Sequence, residues 1–112
     1  QFTPAELLER VAANSVMLVD VRSQSEWESG HHPSARHIPL GDLPRALASL
    51  PRDRPVAVHC QAGTRSAVAA SLLSAASIEA VNVPEGWAGI HALANGASRT
   101  NGTNGTGKTS GA

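Results

Sequence analysis

Residues 55–73 read PVAVHCQAGTRSAVAASLL, and a change of pattern within them decides the fold. PVAVHC (55–60) is a short apolar run of the kind that forms a strand buried on both faces. SAVAASLLSAA (66–76) has the length and alanine and leucine content of a helix. Between them lies CQAGTRS, which holds Cys60, the one cysteine of the chain. Free cysteine is among the most buried residue types, so an inert core thiol is the first reading. The alternative is a nucleophile held among backbone donors. If the strand ends at Cys60 and the helix begins near Ser66, the backbone must turn sharply, with Gly63 supplying the conformational freedom. The amides of residues 61 to 66 then point over the sulfur, and the positive end of the helix adds to them. Arg65 places a permanent cation at the rim. All three effects favour anions and lower a thiol pKa from its free value of about 8.5.

Upstream, Thr3, Pro4 and Glu6 carry a helix start with a capping box, followed by Leu7, Leu8 and Val11 on one face. VMLVDV (16–21) predicts a buried strand. Ser23, Glu26 and Gly30 outline a short helix with its own capping box and a glycine stop. ARHIPL (35–40) predicts a short strand interrupted by Pro39, and DLPRALASLP (42–51) a helix with Pro44 in its first turn. Downstream, EAVNV (79–83) predicts another strand and WAGIHALAN (87–95) a closing helix. This alternation argues for an α/β layer structure around a mostly parallel sheet. Ligands bind at the carboxyl ends of such strands, where Cys60 lies.

The chain has 112 residues, room for one domain. Nine basic and nine acidic residues balance, with no block of either sign, so no nucleic-acid footprint is present. No apolar run approaches the ~20 residues of a membrane span, and no signal peptide is visible. Together with the single cysteine, this reads as a cytoplasmic protein. The chain opens on Gln1, as expected of a processed product or a piece of a longer protein. From Asn95 the sequence turns to Gly, Asn, Thr and Ser, which predicts a disordered tail over 95–112. Within it, GTNGTGKT (102–109) matches the phosphate-loop pattern G-x-x-x-x-G-K-[ST]. Only Ser110, Gly111 and Ala112 follow, too few for the helix that motif needs.

LVDVR (18–22), EWESGHHPSARHIPL (26–40), PVAVHCQAGTRS (55–66) and VNVPEGW (81–87) resemble, in order, the recurring segments of rhodaneses. The likeness covers about residues 3 to 94. The HCQAG-x-RS loop is most similar to single-domain rhodaneses and to rhodanese domains fused to metallo-β-lactamase-type hydrolases. The resemblance implies a single three-layer α/β domain over 3–94, with a five-stranded parallel sheet flanked by helices. It also implies a sulfurtransferase that moves sulfane sulfur from thiosulfate or a related donor to cyanide or a thiol, as a persulfide on Cys60. Cys60 is then the catalytic residue, and Gln61, Ala62, Gly63, Thr64, Arg65 and Ser66 line the anion site. No cofactor or metal is implied; the partners are the small donor and acceptor, and a fused or separate protein of sulfur metabolism. Two positions depart from the family pattern: His32 replaces an apolar residue, and Gly86-Trp87 replaces a glycine pair.

Two other functions compete. Phosphatases and arsenate reductases also use a cysteine-to-arginine anion loop, but tyrosine-phosphatase-type loops place the arginine six positions after the cysteine. Arg65 is five after Cys60, a tighter cradle better matched to one sulfur atom. The other is a non-enzymatic sulfur carrier or docking domain. Of the remaining polar residues, Asp20 and Arg22 read as a structural ion pair at a strand end. His59 should point away from the face that Cys60 occupies. His31, His32 and His37 lack metal-ligand spacing, and Trp27 and Trp87 read as packing.

Overall fold

Two helix starts are written into the first thirty residues, and both form as the capping boxes require. In the computed structural model, which describes residues 2–93, Thr3 caps α1 (Pro4–Ala12), its side chain accepting from Glu6 while Glu6 reaches back. Ser23 and Glu26 do the same for α2 (Gln24–Ser29), which ends at Gly30. The remaining elements, in chain order, are β1 (Met17–Asp20), β2 (Arg36–His37), α3 (Leu43–Ala46), β3 (Val56–His59), α4 (Thr64–Ala75) and β4 (Ala80–Asn82). A final helix, α5, runs over 86–93. The segment expected to be a tail, with its phosphate-loop pattern, lies outside the described residues.

The sheet is parallel throughout, in the order β2-β1-β3-β4. Among the described residues four strands are assigned, and they are the four that the sequence marks. Every residue of β3 is buried, and three of the four in β1 are, so both central strands are covered on both faces. On one face, Val19, Val21, Val56, Val58 and Cys60 pack with Leu43 of α3 and with Ala69 and Leu73 of α4. On the other, Leu18 and Ala57 pack with Leu7 of α1 and Ile90 of α5. Alternation along the strands thus feeds two cores, and the three-layer α/β fold follows.

The predicted helix over 42–51 is broken into three. Leu40–Asp42 and Leu47–Ser49 are 3₁₀ turns on either side of the four-residue α3. Leu43 is fully buried and Leu50 nearly so, while Leu40 and Leu47 pack against the same core. The spacing of these leucines suits tight turns as well as α turns, and a segment bounded by Pro44 and Pro51 is too short for a stable helix. α4, by contrast, begins two residues before the predicted Ser66, because the turn after Cys60 is completed within Gln61–Gly63.

Candidate active site

Gly63 is the N-cap of α4 and has no side chain to satisfy the free amides of the first turn. The Cys60 sulfur takes that role. It accepts from the Gly63 N–H at 3.1 Å and the Ser66 N–H at 3.4 Å. The thiol is also 3.5 Å from the Ser66 hydroxyl, to which it donates when protonated and from which it accepts when ionised. A negative charge on sulfur therefore sits where a capping carboxylate would, at the positive end of the helix. Burial pushes the Cys60 pKa up, but the Ser66 hydroxyl and the amides of Ser66, Ala62 and Gly63 outweigh it and bring it from 9.0 to about 7. Cys60 is only 1% exposed. Both readings of the cysteine are thus partly right: it is buried in the core, yet its sulfur faces donors.

A second loop holds the first in place. The Trp87 N–H donates to the Cys60 carbonyl at 2.7 Å. Gly63 has φ +100°, and a Cβ there would lie 2.8 Å from the Pro84 carbonyl oxygen. Gly86 has φ +64°, and a Cβ there would meet the Gln61 and Cys60 carbonyl oxygens at 2.4 and 2.6 Å. The loop after β4 and the loop after β3 therefore touch backbone to backbone, and only glycine fits at both contacts.

Arg65 is placed by a distant partner. Its two terminal nitrogens donate to the two carboxylate oxygens of Glu26 at 2.7 and 2.9 Å, a paired geometry that fixes the guanidinium plane. The Ser23 N–H and hydroxyl, each at 3.0 Å, hold the same carboxylate on α2. Hydrogen bonds from Arg65 bring the Glu26 pKa down to about 2, against the cost of its partial burial. The Arg65 pKa is raised, chiefly by Glu26 and to a lesser degree by the Cys60 sulfur. The expected cation is at the rim of the loop, but it is shared. Sequence reasoning missed Glu26, whose visible signal is a capping box that explains it completely. It also missed Gly86 and Trp87 as supports of the loop. Of the remaining predicted site residues, Ser66 is buried beside the sulfur, whereas Gln61, Ala62 and Thr64 are exposed.

Beneath the loop, Asp20 and Arg22 form the expected ion pair, at 2.8 Å and almost wholly buried. Arg22 also donates to the Gly30 carbonyl at 2.7 Å, and His37 Nε2 donates to the Arg22 carbonyl at 2.8 Å. His59 lies on the face away from Cys60, fully buried, with Nε2 3.8 Å from Asp20 and its ring near Trp87. Burial holds it neutral against the pull of Asp20. Trp27 stacks between His31 and His37, with ring centroids at 3.4 and 4.6 Å.

A parallel α/β sheet with an amide-cradled cysteine at its carboxyl edge defines a class of thiolate-bearing domains. A family model for the rhodanese-like domain matches residues 3–96, and the chain belongs to that family. A putative sulfurtransferase of Bacillus subtilis is 32% identical over 93 residues, 80% of this chain and 90% of that protein. An HTH-type transcriptional regulator of Mycobacterium tuberculosis is 46% identical over 59 residues. That match takes in 53% of this chain but only 26% of the regulator's length. The crystal structure of a rhodanese-like domain protein from Staphylococcus aureus superposes with a TM-score of 0.73 at 33% identity, covering 80% of this chain and 88% of that one.

Proposed function

We propose that this domain is a sulfurtransferase in which Cys60 carries sulfane sulfur between a donor and a thiophilic acceptor. The Cys60 thiolate attacks the outer sulfur of the donor. The donor's sulfur–sulfur bond breaks, its electron pair leaves with the remainder of the donor, and Cys60 becomes a persulfide. With thiosulfate as donor, the leaving group is sulfite. A thiol or cyanide then attacks the terminal sulfur, and the Cys60 thiolate leaves. The observation that carries this reading is the cradle: Gly63 and Ser66 donate to the sulfur that is charged when it attacks the donor as a thiolate and again when it leaves as one. The short cysteine-to-arginine spacing favours a single transferred sulfur atom over a phosphoryl group. The acceptor in the cell is a small thiol or a partner protein of sulfur metabolism.

Incubation with excess thiosulfate or a thiol persulfide, followed by intact-protein mass spectrometry, should show a gain of about 32 Da on Cys60, one sulfur atom. Cyanide should remove it and yield thiocyanate. A Cys60→Ser variant should show neither. Cys60-dependent hydrolysis of p-nitrophenyl phosphate, without sulfur loading, would overturn the assignment.

A further inference from the structure

We propose that this site takes its sulfur from thiol persulfides in preference to thiosulfate, because Glu26 holds the one charged side chain of the Cys60–Ser66 loop. The inference rests on the sulfurtransferase reading and names its donor class.

The two donors make different demands on the same cradle. Either delivers one sulfur atom to the Cys60 sulfur, which the Gly63 and Ser66 amides hold. What differs is the rest of the donor. Thiosulfate carries two negative charges, and when its sulfur–sulfur bond breaks both electrons leave on sulfite, also a dianion near neutral pH. A site for it needs an uncommitted cation beside the sulfur. A thiol persulfide carries at most one charge, and its leaving group is a single thiolate that takes up one proton to become the thiol. The exchange needs no oxidant or reductant: one sulfur–sulfur bond is broken and one is formed.

Arg65 is the only charged residue from Cys60 to Ser66, and both of its terminal nitrogens are on Glu26. With Cys60 ionised, the sulfur, Arg65 and Glu26 together leave the site net negative. Arg22 does not relieve this, because it is buried against Asp20. Nor can Glu26 easily swing aside. Its carboxylate also closes the α2 capping box through the Ser23 N–H and hydroxyl, so releasing Arg65 by moving Glu26 also uncaps the helix. A dianion approaching this loop meets a cation whose charge is offset, and whose plane is fixed, by Glu26. A persulfide meets the same amides with less charge to accommodate.

The test uses Glu26→Gln, which removes the charge and keeps the cap, since Gln serves a capping box as well as Glu. Rates of Cys60 loading from thiosulfate and from glutathione persulfide are followed by quenched-flow mass spectrometry at one pH and ionic strength. The wild-type chain should have a kcat/KM for the persulfide about tenfold or more above that for thiosulfate. Glu26→Gln should raise the thiosulfate value relative to the persulfide value by about tenfold, mostly through KM. A double variant, Glu26→Gln with Arg65→Gln, should lose that gain, because no cation remains to be released. Equal loading of the wild type by both donors overturns the proposal. So does a Glu26→Gln effect of the same factor on both donors, which is what a merely structural role would give. If neither donor loads Cys60, the sulfurtransferase reading itself falls, a result distinct from either of these.

Discussion

At the scale of single residues, the Cys60 sulfur replaces a helix cap. That substitution sets the pH range in which the site can act. A thiol at about 7 is substantially ionised at neutral pH, whereas an unperturbed one is mostly protonated there. Alkylation of Cys60 by iodoacetamide should therefore rise with pH through an apparent pKa near 7 and level off above it. Ser66 is fully buried and supplies both a hydroxyl and an amide to the sulfur. Ser66→Ala keeps the amide and removes the hydroxyl. The alkylation midpoint should move up by about 0.5–1 pH unit, the equivalent of one modest hydrogen bond to a charge. An unmoved midpoint would show that the backbone alone ionises the thiol. Cys60 and the donors of its own loop are legible in the sequence because they lie within a few residues of one another. Glu26 is not, because it meets Arg65 from 39 residues away, and nothing local distinguishes a capping glutamate that has a second partner.

At the scale of elements, the active loop is a joint between two strand ends. The turn after β3 carries the cysteine and the turn after β4 carries its support, with Gly86 pressed onto the Cys60 and Gln61 carbonyls. Gly86→Ala adds a methyl group where there is no space, in a backbone conformation that side chains rarely adopt. The change should cost about 2–4 kcal/mol in urea unfolding. If the joint also shapes the cradle, the surviving folded protein should load sulfur at least about tenfold more slowly, as expected when donors shift by a fraction of an ångström. A stability loss with unchanged loading would make Gly86 a folding residue only. The helices that are legible in the sequence, α1 and α2, are those whose starts are encoded in three or four consecutive positions. The segment 42–51 departs from the predicted single helix because its leucines answer to the core rather than to a local signal. Leu43 and Leu50 are buried whatever the turns between them do.

At the scale of the whole molecule, the strand order puts charge where the hydrophobic pattern leaves no trace of it. β1 and β3 are neighbours, so Asp20 is paired with His59 in register, and the Asp20–Arg22 ion pair ends up inside the fold under the active loop. Individual strands could be read from their apolar runs. Their order could not, because every parallel pair requires a crossover whose placement depends on contacts distant in sequence. The arrangement has a pH signature. Burial pushes the Asp20 carboxyl up, but the hydrogen bonds from Arg22 win and its pKa is lowered. Glu26 is lowered to about 2 from 4.5. For both, the unfolded chain binds the proton first. Their stabilisation is complete above the ordinary carboxylate range and is lost as pH falls through the folded values. His59 works in the same direction: burial lowers its pKa below 6.5, so the unfolded chain takes up that proton more readily as well. The urea midpoint should therefore hold level above pH 6.5 apart from the Cys60 contribution, and decline continuously from there into the acid range. Cys60, with its thiol lowered from 9.0 to about 7, adds stability as pH rises between those values. Asp20→Asn should remove the Asp20 share of the acid-range slope and leave the Glu26 share in place. It should also destabilise the protein at neutral pH by about 3–5 kcal/mol, because Arg22 is left buried with its charge unpaired. A midpoint that stays constant as pH falls through and below the ordinary carboxylate range would show that the buried pair is not held in its ionised form.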